Sequence, residues 1–240
     1  MSNKIKFWTS PVYYKQKEDF PKPIKLNIPN WFKKIQHSAE NITIKGCIPF
    51  LDTLTTGYVL SLPQDFHLRH NIVIDKQKIT QLVPSLNERA HTNINVKGEE
   101  SMHPVGQFQG SPLEKKNLNL GAHKIFNPWV IKTPPGYSCL FLPPLNNTDD
   151  RFSIIPGIVN TDIFNQEVNF PFIVNGDKYP VLDTILLKGT PYVQVIPFKR
   201  ESWEMEIGEI PKDDRLNYWN WTLNKLHTYK RKVWDKQSWK

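Results

Sequence analysis

The sequence predicts an all-β domain of sandwich, jelly-roll or barrel type, with an irregular N-terminal arm and a C-terminal basic helix. Three observations carry that prediction. The 240 residues include 20 prolines against 11 glycines, and long stretches of 3.6-residue apolar periodicity are few, which disfavours helices. Short apolar runs recur at close intervals instead, each bounded by turn residues. Charge is uneven: the chain carries +8, and residues 215–240, with seven Lys/Arg against Asp235, supply +6 of it.

Residues 1–40 hold the aromatic pieces "FWTSPVYYKQ" and "IPNWFKKI", broken by Pro11, Pro21, Pro23 and Pro29, and read as an arm with a helical turn near Trp31. The main domain is expected over 41–205. Its strand runs are "ITIKGCI" (42–48), "GYVLSL" (57–62), "NIVID" (71–75), "HTNINV" (91–96), "WVIKT" (129–133) and "YSCLFL" (137–142). "FSIIPGIV" (152–159), "VNFPFIV" (168–174), "DTILL" (183–187) and "PYVQVIPF" (191–198) continue the series. The polar, Gly/Pro-punctuated stretch 97–123 reads as a long surface loop. Residues 206–240 end the chain, with Asp213 or Asp214 as helix N-cap and Leu216, Trp219, Leu223 and Leu226 at helical spacing.

Several chemistries find no support. Two cysteines far apart, Cys47 and Cys139, do not make a disulfide framework or a metal knuckle, and Cys139 reads as a small buried hydrophobe. The N-terminus lacks the apolar core of a signal peptide, and no run is long enough to span a membrane. The expected location is therefore the cytoplasm of a host cell, or a virion, and the sequon at Asn146 carries no weight. No H-x-D/E, H-E-x-x-H, G-x-S-x-G, P-loop or dinucleotide motif occurs, so no cofactor and no metal is expected. His67 and His70 in "HLRH" could share one side of a turn, a weak pair without a nearby carboxylate.

The stretch "TPPGYSCLFLPP" (133–144) stands out. Pro134 and Pro135 hold the approach extended, Gly136 permits a turn, and Pro143-Pro144 ends strand pairing because proline has no N–H. It is the second of four motifs in order: "LDTLTTGYVLSLPQD" (51–65), "TPPGYSCLFLPPLNN" (133–147), "PGIVNTDIF" (156–164) and "LLKGTPYVQVIPF" (186–198). This order resembles the β-clip proteins, the trimeric dUTPases and related dCTP deaminases. Gly57-Tyr58, Pro135-Gly136-Tyr137, Gly157-Ile158-Val159, Asp162 and Gly189 with Gln194 take corresponding places. The chain also looks like a group of uncharacterised phage and bacterial proteins.

The resemblance implies a jelly-roll, dUTPase-like fold and a trimer, but a degenerate site. The Asp that handles the attacking water corresponds to Asn160, which cannot take a proton. The tyrosine that stacks on deoxyribose corresponds to Ile163, and "PPLNN" replaces the phosphate-binding Arg and Ser. Glu167 does not match the deaminase glutamate, and Gly208 is the last glycine, so the glycine-rich closing arm is missing. Candidate ligand-binding residues are Tyr58, Asn160, Asp162 and Gln194. Asp162 is either a carboxylate in an inter-subunit cleft or a turn residue accepting backbone N–H bonds. Gln194 belongs to the closing strand.

The tail interleaves Trp219, Trp221, Tyr229, Trp234 and Trp239 with Lys230, Arg231 and Lys232. Such a pattern suits single-stranded nucleic acid, docking onto the body, or a subunit-assembly arm. Three functions follow: a non-catalytic binding or structural protein, phage-encoded and homo-oligomeric or bound to other phage proteins; a nucleotide-processing or nucleotide-sequestering relative of dUTPase; and a nucleic-acid binder through the tail.

Overall fold

The computed structural model of the chain describes residues 3–71, 102–211, 214 and 228–240. Within them strand outweighs helix and every sheet is antiparallel, so the fold is largely β. Residues 3–40 are woven into the body. β1 (Lys6–Trp8) pairs with residues 130–132, α1 (Pro11–Tyr14) follows, β2 (Lys22–Pro23) edges the main sheet, and α2 (Asn30–Lys34) carries Trp31. Apolar side chains explain the docking: Ile24 and Phe32 are buried, and Phe20 meets Trp129 edge-on at 5.5 Å.

"ITIKGCI" is not a strand. It makes a 3-10 turn over Ile44–Gly46 and enters the helix α3 (Ile48–Thr55). Ile42 and Ile44 stay exposed, so no buried pleated face rewards their β-branched side chains, while Pro49 suits a first helical turn. β3 (Tyr58–Ser61) and β4 (Phe66–His70) follow. The expected runs 71–75 and 91–96 lie outside the described residues, Asn71 apart.

The expected surface loop has structure over its described part: β5 (Met102–His103), α4 (Pro112–Lys116) and the start of β6 (Ala122–Ile125). Buried Asn117 holds it in place. Its Nδ2 donates to the carbonyls of Leu120 and Gly121 at 2.9 and 3.1 Å, and its Oδ1 accepts the Val174 N–H at 2.8 Å. β7 (Val130–Lys132) and β8 (Tyr137–Leu142) fall where the sequence places them. "FSIIPGIV" splits into β9 (Phe152–Ile154) and β10 (Gly157–Val159), which join different sheets, since Pro156 cannot donate to a ladder. β11 (Phe170–Val174), β12 (Leu182–Leu186) and β13 (Pro191–Lys199) match their runs. The helix expected over 216–226 lies outside the described residues; a short α5 spans Thr228–Lys232.

The main sheet runs β10-β8-β13-β3-β2, a second runs β5-β6-β11-β9, and β1-β7 and β12-β4 form two-stranded ribbons. One core joins them. Phe172 meets Phe66 and Phe152 at 5.7 and 5.4 Å, and Phe170 meets Phe141 and Tyr192 at 5.3 and 5.8 Å. Each such side chain contributes roughly 1.5–3 kcal/mol by burial. Gly57 lets β3 lie close to β13: its φ is +81°, and a Cβ there would come within 2.2 Å of the Val195 carbonyl oxygen.

The core also buries two histidines. The rings of His70 and His123 lie 5.8 Å apart, and neither His70 Nε2 nor His123 Nδ1 has a hydrogen-bond partner. Burial keeps both neutral, lowering His70 from 6.5 and His123, helped by His70, from 6.5 to about 4. A depressed histidine favours the folded state fully above its unfolded pKa and loses that contribution as pH falls. We expect stability to drop between pH 6.5 and about 4, by on the order of 3 kcal/mol from His123. The ion-paired carboxylates Asp150, Asp162 and Asp183 are lowered from 3.8 and titrate below this window. Urea unfolding at a series of pH values checks it: His123→Phe flattens the slope, and an unchanged slope contradicts the assignment.

Candidate functional site

β8 leaves the "PPG" turn beside the segment that follows β10, and the two meet at one corner of the main sheet. Asp162 lies at that corner. Its Oδ2 accepts the Gly136 N–H at 2.9 Å, and its two oxygens take Arg200 Nη1 at 2.9 Å and Nη2 at 2.5 Å. Arg200 directly follows β13, and its own N–H donates to the Gly136 carbonyl at 2.8 Å. The guanidinium holds the Asp162 carboxyl far below its usual range, with the Gly136 N–H adding to the effect. Asp162 is thus a turn residue accepting a backbone N–H, with an ion pair added.

Neighbouring groups are equally committed. Ser138 Oγ donates to Asn160 Oδ1 at 2.8 Å and accepts from Arg200 Nη1 at 2.9 Å. Lys132 Nζ donates to the carbonyls of Asp162 and Phe164 at 2.9 and 3.2 Å and to Asn165 Oδ1 at 2.6 Å. The Thr133 and Thr161 hydroxyls share a hydrogen bond at 2.8 Å. Thr161 Oγ also reaches Cys139 Sγ at 3.3 Å, and burial pushes that thiol up to about 11, which makes it a poor nucleophile.

The other end of β8 is held by Gln194. Fully buried, it accepts the Leu145 N–H on Oε1 at 3.0 Å and donates Nε2 to the carbonyls of Thr53 and Thr56 at 3.2 and 2.8 Å. Its role is to tie β13 to the end of α3 and to the loop after Pro144. Tyr58 is occupied from within the chain as well. Its ring meets Phe7 at 5.5 Å and Trp239 at 5.8 Å, and its hydroxyl donates to the Lys240 carbonyl at 3.3 Å.

These four residues do not form one pocket. A cavity of about 240 Å³ opens beside Pro143 and Pro144, lined also by Lys116, Asn147, Asp149 and Asp150. Its carboxylates are paired: Asp149 takes Arg151 at 2.7 Å, while Asp150 takes Lys178 at 2.5 Å and the Tyr179 hydroxyl at 2.7 Å. A wider, open ledge of about 450 Å³ is lined by Ile158, Val159, Asn160, Ile163 and Phe164. It is apolar, with Ile158 and Ile163 well exposed.

The histidine pair of "HLRH" divides. His67, opposite Ile185 in the β12-β4 ribbon, bonds Asp183 diagonally, whereas His70 enters the core, because alternate residues of β4 face opposite ways. Among the described residues no group of three His, Cys, Asp or Glu could hold a metal. No helix among them is long and apolar enough to cross a membrane.

In the tail, Trp221 lies outside the described residues. Trp234 Nε1 donates to the Asp52 carboxylate at 3.0 and 3.1 Å, and Trp239 packs on Tyr58, so these two tryptophans dock on the body. Tyr229, Lys230, Arg231 and Lys232 are exposed. Sequence reasoning missed Arg200, Lys132 and Asp52. The Lys199-Arg200 pair closing the last strand was a visible signal, although its partner was not. No protein-family model matches this chain, and no curated protein is significantly similar to it.

Gln194→Leu keeps the size of the side chain but strands the Leu145 N–H and two carbonyls. It should cost on the order of 2–4 kcal/mol in urea unfolding. A cost below about 1 kcal/mol would mean those groups find other partners.

Proposed function

We propose that the chain is a non-catalytic structural or binding protein on a β-clip-like jelly roll, working as a homo-oligomer. The observation that carries this reading is the saturation of Asp162. In the resembling enzymes this corner handles the attacking water, whereas here Asn160 replaces the acid and Asp162 is spent on Arg200 and Gly136. A carboxylate held by a guanidinium and a backbone N–H is a weak base and does not leave its partners readily. The corner's remaining hydroxyls and its lysine are bonded within the chain, and the thiol is held protonated by burial.

Self-association is the counterpart. The apolar ledge of Ile158, Ile163 and Phe164 borders the corner, and contiguous exposed apolar surface of this kind marks contact sites. The β-clip resemblance favours a ring of three, one of the closed point groups open to soluble oligomers.

The test is direct. Purified full-length chain, incubated with each deoxynucleoside triphosphate and Mg²⁺, should release no more phosphate or pyrophosphate than buffer alone. Turnover of any of them above the uncatalysed rate would overturn the reading.

A further inference from the structure

Past Arg200 the chain runs as "ESWEMEIGEIP" (201–211) with no helix and no strand pairing among the described residues. Its apolar side chains are unusually bare: Trp203 is 88% exposed, Met205 83% and Ile207 84%. They alternate with Glu204 and Glu206, the period of a strand with one apolar and one charged face. Leaving three such side chains in water forgoes several kcal/mol of burial, at roughly 1.5–3 kcal/mol each, so a covering surface is expected.

We propose that this arm is a strand which pairs with β10 of a second copy, laying Trp203, Met205 and Ile207 on that copy's Ile158–Phe164 ledge. The inference rests on the assembly reading above and deepens it. β10 is the outer strand of the main sheet and, among the described residues, pairs with β8 alone, so its other side offers free backbone groups. Beside it, Ile158 is 63% exposed and Ile163 69% exposed, an apolar surface for an apolar strand face.

Charge points the same way. The arm holds Glu201, Glu204, Glu206 and Glu209 and no Lys or Arg, so a chain of +8 carries −4 here and +12 elsewhere. Beside the ledge, Lys132 spends its three N–H donors on neutral oxygens and forms no ion pair among the described residues, so its uncompensated charge adds to the positive field that an incoming glutamate meets. An acidic arm is drawn to the basic body of another copy.

Geometry sets the direction of exchange. Arg200 pins the arm's root to Asp162, next to the chain's own ledge, and yet both the arm and that ledge are exposed. Arm-to-ledge contact is heterologous, so each copy serves the next, and a ring closes when every arm is seated.

Light scattering on the full chain at micromolar concentration provides the test, with Trp203→Glu and Ile158→Glu measured beside it. Neither side chain is buried in the isolated chain, and far-UV circular dichroism confirms that each variant is folded. The proposal predicts an oligomeric wild type and a monomeric mass for both variants. In a Cys47→Ser background, mixing a Met205→Cys chain with an Ile163→Cys chain and adding a thiol oxidant such as diamide, which takes up the two electrons and two protons, should give a disulfide-linked pair. A wild-type oligomer that survives either substitution overturns the arm proposal and leaves the assembly reading standing. A monomeric wild type overturns both.

Discussion

The strand β8 depends on two side chains that capture the first backbone donors beyond its prolines. Pro134-Pro135 and Pro143-Pro144 deprive both approaches of N–H groups, so Gly136 and Leu145 are the first residues on each side able to donate. Asp162 takes the Gly136 N–H, and Gln194 takes the Leu145 N–H. Because β8 lies between β10 and β13, these two captures fix the register of the main sheet at both ends. The remaining polar atoms of each captor reach other elements: Arg200 at the end of β13 from Asp162, and α3 from Gln194.

That division of labour has a chemical consequence. A site that performs acid–base work keeps a group free to exchange a proton, and the residues best placed to do so here are committed to holding the sheet together. Arg200 has a double role. It closes the corner and fixes where the acidic, tryptophan-bearing segment leaves the body. This polar cluster thereby becomes the root of the most exposed apolar segment among the described residues, which joins the architecture to the proposed assembly.

Much of the strand framework was legible because the runs are short, apolar and bounded by proline or glycine. "YSCLFL", "PYVQVIPF" and "DTILL" are the clearest cases. "ITIKGCI" was misleading, since two exposed isoleucines carry strand propensity without a face to bury. The arm over 3–40 and the stretch 102–123 looked irregular because their docking relies on partners distant in sequence, such as Trp129 for Phe20 and Val174 for Asn117. At the corner, Asp162 as an acceptor of backbone N–H was readable from its turn context. Its ion pair was not, because Arg200 lies 38 residues away, just past the end of β13.

The central claim is that Asp162 and Arg200 act as one structural clamp. A double-mutant cycle on unfolding free energy, using Asp162→Asn, Arg200→Gln and the combined variant, tests it most directly. The account predicts that each single change destabilises the fold and that the double variant loses clearly less than the sum. Additive losses, or singles indistinguishable from wild type, would contradict it.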